Sequence, residues 1–144
     1  MFAENGYSLL IVDDDTDQRM IMEKAAMRTG LYSTIETAAD GEEALYMINE
    51  YADEHGGLDL VLTDFKMPRM NGRELAQALQ NGRSLTKVPI VCISASDDPA
   101  DKQSALDAGC LAFYRKTGNV RDLIALFRSL PTLIGDKKDR LAAD

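Results

Sequence analysis

Four apolar runs in this chain end in side chains that handle charge. Leu9-Leu10-Ile11-Val12 runs into the acids Asp13-Asp14-Asp15. Leu60-Val61-Leu62-Thr63 runs into Asp64, with Phe65-Lys66-Met67-Pro68 after it. A third run closes at Ser94 and a fourth at Lys116. Carboxylates are hard donors for a divalent cation, while a hydroxyl and an ammonium suit the oxygens of an anion. Together they are the equipment of a phosphoryl-transfer site. A carboxylate can also attack phosphorus itself and become an aspartyl phosphate.

Each of these residues has a plainer role available. An aspartate past a strand often caps a turn or a helix. After Asp64, however, come Met67-Pro68 and Asn71-Gly72, which predict a rigid loop that holds the carboxylate exposed and still. One of Asp13, Asp14 and Asp15, or Thr16, is expected to cap the first helix. Three acids exceed what capping needs, and two of them with Asp64 across the sheet would suffice for Mg²⁺. Ser94 alone could end its strand, and Lys116 alone could be a solvated lysine. Their placement at adjacent strand ends gives them weight, because a hydroxyl and an ammonium can bind two of the three phosphoryl oxygens.

Other motifs on these residues fare less well. Asp13-x-Asp15-x-Asp17 imitates the start of a calcium loop, but Gln18 and Lys24 stand where that loop needs Gly and Glu. The same run resembles the Asp-x-Asp-x-Thr start of haloacid-dehalogenase-type phosphatases, with Asp17 in place of the Thr. A small aspartate-based phosphatase using Asp13 as nucleophile is therefore the enzyme alternative. His55, in the polar loop Asp53-Glu54-His55-Gly56-Gly57, has no neighbouring His or Cys and reads as a surface residue.

The elements that must position these residues alternate. Strands are predicted over 8–12, 32–37, 58–63, 88–93 and 111–114, all short and apolar, as suits strands buried on both faces. The second contains Ser33, Thr34 and Glu36 and reads as an edge strand. Helices are predicted over 16–29, stopped by Gly30, over 41–51 and over 72–80. A fourth opens at Asp98-Pro99, an acid cap before a first-turn proline, and ends at Gly109. The fifth, over 118–130, spaces Val120, Leu123, Ile124 and Phe127 on one face and is broken by Pro131. Alternating units of this kind predict an α/β fold, a parallel sheet with helices on both faces. Ligands bind such sheets at the C-terminal edge of the strands, where the carboxylates, the hydroxyl and the ammonium all lie.

Length and composition fit one domain over residues 1–131, followed by a charged tail over 132–144 expected to be frayed or loosely helical. A net charge of −8 argues against a nucleic-acid surface, which needs a basic patch. Part of the excess acid is local: Asp97, Asp98 and Asp101 are expected at the same sheet edge as Asp13 to Asp17. Two cysteines, Cys92 and Cys110, make no disulfide framework, and Cys92 inside a strand reads as a buried reduced thiol. No signal peptide or membrane span is expected, which points to the cytoplasm. The tyrosines are scattered and form no stacking platform.

At this point the chain resembles the receiver domains of two-component response regulators, the stand-alone chemotaxis-regulator type among them. The resemblance runs from about Ser8 to Leu130. It rests on Val12-Asp13-Asp14-Asp15, on Asp64 through Gly72, on Ile93-Ser94-Ala95, on Ala108-Gly109 and on Lys116. It implies a doubly wound, flavodoxin-like (βα)5 sheet of order 2-1-3-4-5. It implies that Asp64 accepts a phosphoryl group from a histidine kinase or histidine phosphotransfer protein. Asp14 would bind Mg²⁺ directly, Asp13 mainly through water, and the Lys66 backbone carbonyl would complete the protein's share. Ser94 and Lys116 would hold phosphoryl oxygens, and Ser94 and Phe113 would switch a contact face made by the fourth helix, fifth strand and fifth helix. Such a protein is a phosphoacceptor rather than an enzyme, and it works by protein contact or as a phosphorelay. It is expected as a monomer or weak homodimer with an unidentified target.

Several departures stand out. The family carries proline after the lysine, often in a cis bond, whereas this chain has Thr117. A cis bond without proline costs about 3 kcal/mol, so a trans bond is expected. Phe113 replaces the commoner Tyr and has no hydroxyl. The Lys66 side chain is expected to pair with Asp13, Asp15 or the phosphoryl group. The stretch from Glu50 to Gly57 is longer than the family minimum. A degenerate receiver that binds partners without taking phosphate is the non-enzymatic alternative.

Overall fold

Parallel strands buried on both faces need apolar side chains pointing both ways, and the first strand shows the result. In the computed structural model, which describes residues 6–54, 57–82 and 88–135, β1 spans Tyr7–Val12. Leu9 and Ile11 pack on one side of the sheet, Leu10 and Val12 on the other, and all four are fully buried. The remaining strands are β2 (Tyr32–Ala38), β3 (Leu60–Asp64), β4 (Ile90–Ser94) and β5 (Phe113–Arg115). All pair in parallel, in the order β2-β1-β3-β4-β5. The second strand is an edge, as its polar residues predict.

Helices fill both faces. α1 (Thr16–Arg28) and α5 (Val120–Ser129) cover one, through Met22, Ala25, Ala26, Leu123 and Phe127. α2 (Gly41–Glu54), α3 (Gly72–Gln80) and α4 (Pro99–Asp107) cover the other. The buried hydroxyl of Tyr32 donates to the Phe127 carbonyl at 2.6 Å, tying α5 to the edge strand. The starts of the helices follow their sequence signals. Asp15 caps α1 by accepting from the Asp17 and Gln18 amides, and Asp98 caps α4 ahead of Pro99. Asn71 and Glu74 form a reciprocal capping box on α3. Gly30 follows α1 at φ +69, the left-handed conformation that costs glycine little.

One expectation is extended and one changes. Pro131 ends α5 as expected, but the chain does not leave the fold there. Leu130 keeps a helical backbone, and a short α6 (Pro131–Ile134) resumes with proline in the first-turn position that needs no N–H donor. The length before the third strand is spent in α2, which continues to Glu54 rather than stopping at Tyr51. His55 and most of the tail, residues 136–144, lie outside the described residues.

Candidate functional site

The strand ends meet at one edge of the sheet. β1 and β3 are neighbours, with Val12 opposite Thr63, so Asp13 and Asp64 emerge side by side. β4 lies against β3, and the Phe65 amide donates to the Ile93 carbonyl at 2.9 Å. β5 lies against β4, and the Lys116 amide donates to the Ser94 carbonyl at 2.6 Å. The backbone ladder thus sets Lys116 beside Ser94 and aims its long side chain along the sheet edge.

Asp13 is buried, at 1% exposure, yet fully engaged. Its Oδ1 accepts from the Asp15 amide at 2.9 Å, and its Oδ2 accepts from Lys116 Nζ at 2.7 Å. Lys116 Nζ also lies 3.5 Å from Asp64 Oδ2. Asp14 is exposed and Asp64 partly so. Asp13, Asp14 and Asp64 each bring one carboxylate oxygen within 4.8 Å of the others. Burial pushes the Asp64 carboxyl above its ordinary value, and the charges of Asp13 and Asp14 push the same way, while Lys116 pulls it down only in part. Burial disfavours the Lys116 ammonium, but the hydrogen bond to Asp13 and the charge of Asp64 prevail and hold it protonated.

Three converging carboxylates against one ammonium leave an excess of negative charge. A magnesium ion asks for one or two carboxylates, waters and phosphate oxygens, so the donor set fits it. Asp64 is the partly exposed carboxylate that Lys116 approaches at 3.5 Å. Asp13 is buried with both oxygens engaged, which suits holding rather than attacking, and this weighs against a phosphatase built on Asp13. Ser94 is buried at the end of β4, and its Oγ accepts from the Ser96 amide at 3.1 Å. Phe113 is half-buried on β5 and meets Phe65 edge-on.

The acids of the β4–α4 loop do not join this cluster. Asp98 is spent capping α4, Asp97 pairs with Arg115 at 3.5 Å, and Asp101 lies 3.8 Å from Lys66. That last contact corrects the expected role of Lys66, whose exposed ammonium turns to α4 instead of to Asp13 or Asp15. The Lys116–Thr117 bond is trans, as are all described peptide bonds. Thr117 Oγ1 instead reaches Asp122 of α5 at 3.2 Å.

One side-chain pair beside the cluster escaped the sequence reading. Arg69 stands at φ +65, the only non-glycine residue among those described in the left-handed region. Its guanidinium grips Asp40, with Nε 2.9 Å from Oδ2 and a second nitrogen on the same oxygen. Asp40 caps α2 through the Glu43 amide at 2.9 Å, and next to it the Gly41 amide donates to the Met70 carbonyl at 3.0 Å. The β2–α2 loop therefore braces the loop that follows Asp64. Only the Asp40-x-x-Glu43 spacing, which imitates a capping box, hinted at it.

Comparison with known proteins agrees with this geometry. The family model described as "Response regulator receiver domain" matches residues 9–128. A gliding motility regulatory protein of Myxococcus xanthus is 33% identical over 108 residues, covering 75% of this chain and 13% of that protein. The alkaline phosphatase synthesis transcriptional regulatory protein SphR of Synechococcus elongatus is 30% identical, covering 85% of this chain and 48% of that protein. The chain thus spans about half or less of these curated relatives. Among solved structures, the chemotaxis response regulator CheY4 of Vibrio cholerae superposes with a TM-score of 0.70 at 26% identity, covering 86% of this chain and 98% of that one. A Francisella response regulator receiver domain gives 0.70 at 25%, covering 88% and 98%. Sequence, sheet order and acidic cluster converge on one conclusion: the chain belongs to the response regulator receiver domain family.

Proposed function

We propose that Asp64 accepts a phosphoryl group from a phosphohistidine on a histidine kinase or histidine phosphotransfer protein. The observation that carries this reading is the Lys116 ammonium, held 2.7 Å from Asp13 and 3.5 Å from Asp64 beside a three-carboxylate cluster. An Asp64 oxygen attacks phosphorus in line as the phosphorus–nitrogen bond breaks and imidazole leaves. Lys116 moves part of its charge from Asp13 to the arriving oxygens. The Ser94 hydroxyl, whose Oγ now accepts from Ser96, has its proton free to donate to a phosphoryl oxygen. Asp13, Asp14, Asp64 and the Lys66 carbonyl would hold Mg²⁺, which when bound neutralises phosphoryl charge. Water attacking the product in line restores Asp64, so the protein is a phosphoacceptor and not a turnover enzyme.

The readout follows from where Ser94 and Phe113 lie. Drawing Ser94 toward the phosphoryl group frees room on the α4 side of β4, and the half-buried Phe113 turns into it. The face of α4, β5 and α5 then changes shape for a protein partner, or the phosphoryl group passes on to a histidine of the next relay protein. Nucleic acid is not required as a partner by a net charge of −8, and no described helix is long and apolar enough to cross a membrane.

Intact-mass spectrometry tests the reading. The chain is incubated with acetyl phosphate, with Mg²⁺ or with chelator, as wild type and as Asp64→Asn. One phosphoryl mass is expected on the wild type with Mg²⁺ alone. Labelling of folded Asp64→Asn at the same rate would sink the assignment. A folded wild type that takes no phosphoryl group and binds no beryllofluoride would favour a phosphate-independent module.

A further inference from the structure

The two cysteines lie 18 positions apart in sequence, yet their sulfurs are 3.0 Å apart. That is about 1 Å beyond the length of a disulfide bond, about 2.05 Å. Cys92 sits in the middle of β4, and Cys110 in the turn from α4 into β5. Neither backbone is free to drift. The Cys92 amide donates to Ala112 at 3.0 Å, the Leu111 amide to Ile90 at 2.9 Å, and the Cys110 amide to Ala105 at 3.1 Å. The pair is therefore held sulfur to sulfur by the strand ladder on one side and the end of α4 on the other. Both thiols are free, and no part of the phosphoryl chemistry uses them.

We propose that Cys92 and Cys110 form a dithiol modification site, oxidised by hydroperoxides to a disulfide that pins the α4–β5 turn to β4. The two cysteines differ in a way that assigns their roles. Cys92 is fully buried, whereas Cys110 keeps 6% exposure and is the one an oxidant meets. Cys110 is then the attacking thiolate. Its sulfur takes the distal oxygen of the hydroperoxide, the oxygen–oxygen bond breaks, and an alcohol leaves with one proton. The Cys110 sulfenic acid is next attacked by the Cys92 sulfur. The sulfur–sulfur bond forms, the sulfur–oxygen bond breaks, and the hydroxyl leaves as water with the Cys92 proton. Two thiols give up two electrons, and one hydroperoxide accepts them.

The consequence lies in what the bridge would span. Ser94 is two residues past Cys92, and Phe113 is three past Cys110. A covalent tie at this point holds together the strand and the turn between which the switch must open. The modification site stands on the thiol geometry alone, while its effect on switching rests on the receiver reading.

The folded chain is treated with hydrogen peroxide, quenched in denaturant with an alkylating agent, and weighed. Expected are a loss of two hydrogen masses, no alkyl adducts, and a linked peptide joining Cys92 to Cys110. Two alkylatable thiols after a dose that oxidises free cysteine, or oxygen adducts without the bridge, would overturn the site. Hydrogen exchange on the oxidised and reduced forms reads the restraint. Amides of α4 and the turn should exchange on the order of tenfold more slowly once bridged, and unchanged exchange would overturn the restraint. Neither readout needs phosphorylation. A chain that forms the bridge but takes no phosphoryl group keeps the thiol site and loses the receiver reading.

Discussion

Phe113 meets Phe65 edge to face, with ring centroids 5.6 Å apart and planes at 76°. Phe65 directly follows Asp64 and is nearly buried, at 8% exposure, while Phe113 is half-buried on an edge strand. The ring on β5 therefore touches the residue beside Asp64, and a direct packing route joins the acidic cluster to that edge strand.

That contact predicts an ordered pair of stability losses. Phe65→Ala opens a cavity and should cost about 3 kcal/mol. Phe113→Ala removes a half-buried ring and an aromatic pair and should cost about 1–2 kcal/mol. Phe113→Tyr should be nearly neutral. Urea denaturation measures all three, and a reversed order would mean that Phe113, rather than Phe65, anchors the pair.

Lys116→Ala should move two properties in opposite directions. Removing the ammonium that sits 2.7 Å from Asp13 frees a carboxylate and raises the local negative charge, so Mg²⁺ should bind several-fold more tightly. Phosphoryl uptake should slow by about 10²-fold, because the charge that meets the arriving oxygens is gone. Calorimetric Mg²⁺ titration and acetyl phosphate labelling give the two numbers. Weaker Mg²⁺ binding together with slower labelling would indicate a collapsed site.

Asp64→Asn should stabilise the metal-free protein at neutral pH. Burial and neighbouring acids raise the folded Asp64 carboxyl above its ordinary value of 3.8. A raised carboxyl favours the fold below the unfolded value, and that advantage is lost as pH rises through the folded one, so ionised Asp64 is a cost at pH 7. The variant should melt about 2–5 °C higher there, with the gap closing as pH falls toward 3.8. Mg²⁺ should raise the melting temperature of the wild type more than that of the variant. Thermal scans across pH, with and without the ion, read both effects.

The Asp40–Arg69 brace gives the opposite pH signature. The Glu43 amide holds the Asp40 carboxyl below its ordinary value of 3.8, Arg69 adds to this, and together they outweigh the burial that opposes them. Its stabilising share is present above that value and is lost as pH falls through the lower folded one. Asp40→Ala should cost about 1 kcal/mol at pH 7 for the lost cap alone, shrinking in acid. Arg69→Gly should be less harmful than Arg69→Ala, because glycine accepts the left-handed backbone that alanine must strain to keep. Chemical denaturation at two pH values decides both comparisons.

The sheet was legible because buried parallel strands are continuous apolar runs, and four polar or charged residues close them. The side-by-side placement of Asp13, Asp64, Ser94 and Lys116 was legible for the same reason, because neighbouring parallel strands end at one edge. What stayed hidden depends on side chains that meet across long stretches of chain. Asp40 and Arg69 are 29 positions apart, and Cys92 and Cys110 are 18 apart, and no local period links either pair. Lys66 was misplaced because its long, exposed side chain chooses among several nearby acids, and only the position of α4 decides for Asp101. The break at Pro131 was legible, since α5 ends at Ser129, but that the same proline opens α6 was not, because only its first-turn placement decides it.

Gly72 has a consequence for recognising proteins of this kind. A Cβ there would stand 2.6 Å from the Asp64 carbonyl oxygen and 3.1 Å from the Phe65 Cα, both of them backbone atoms that cannot yield. The glycine is thus demanded by the shape of the turn and is indifferent to the side chain at position 64. A descendant that exchanged the acid for an inert residue would still have to keep the glycine. Its presence in a sequence therefore reports inheritance of the turn, and only the carboxylate itself reports that the chemistry survives.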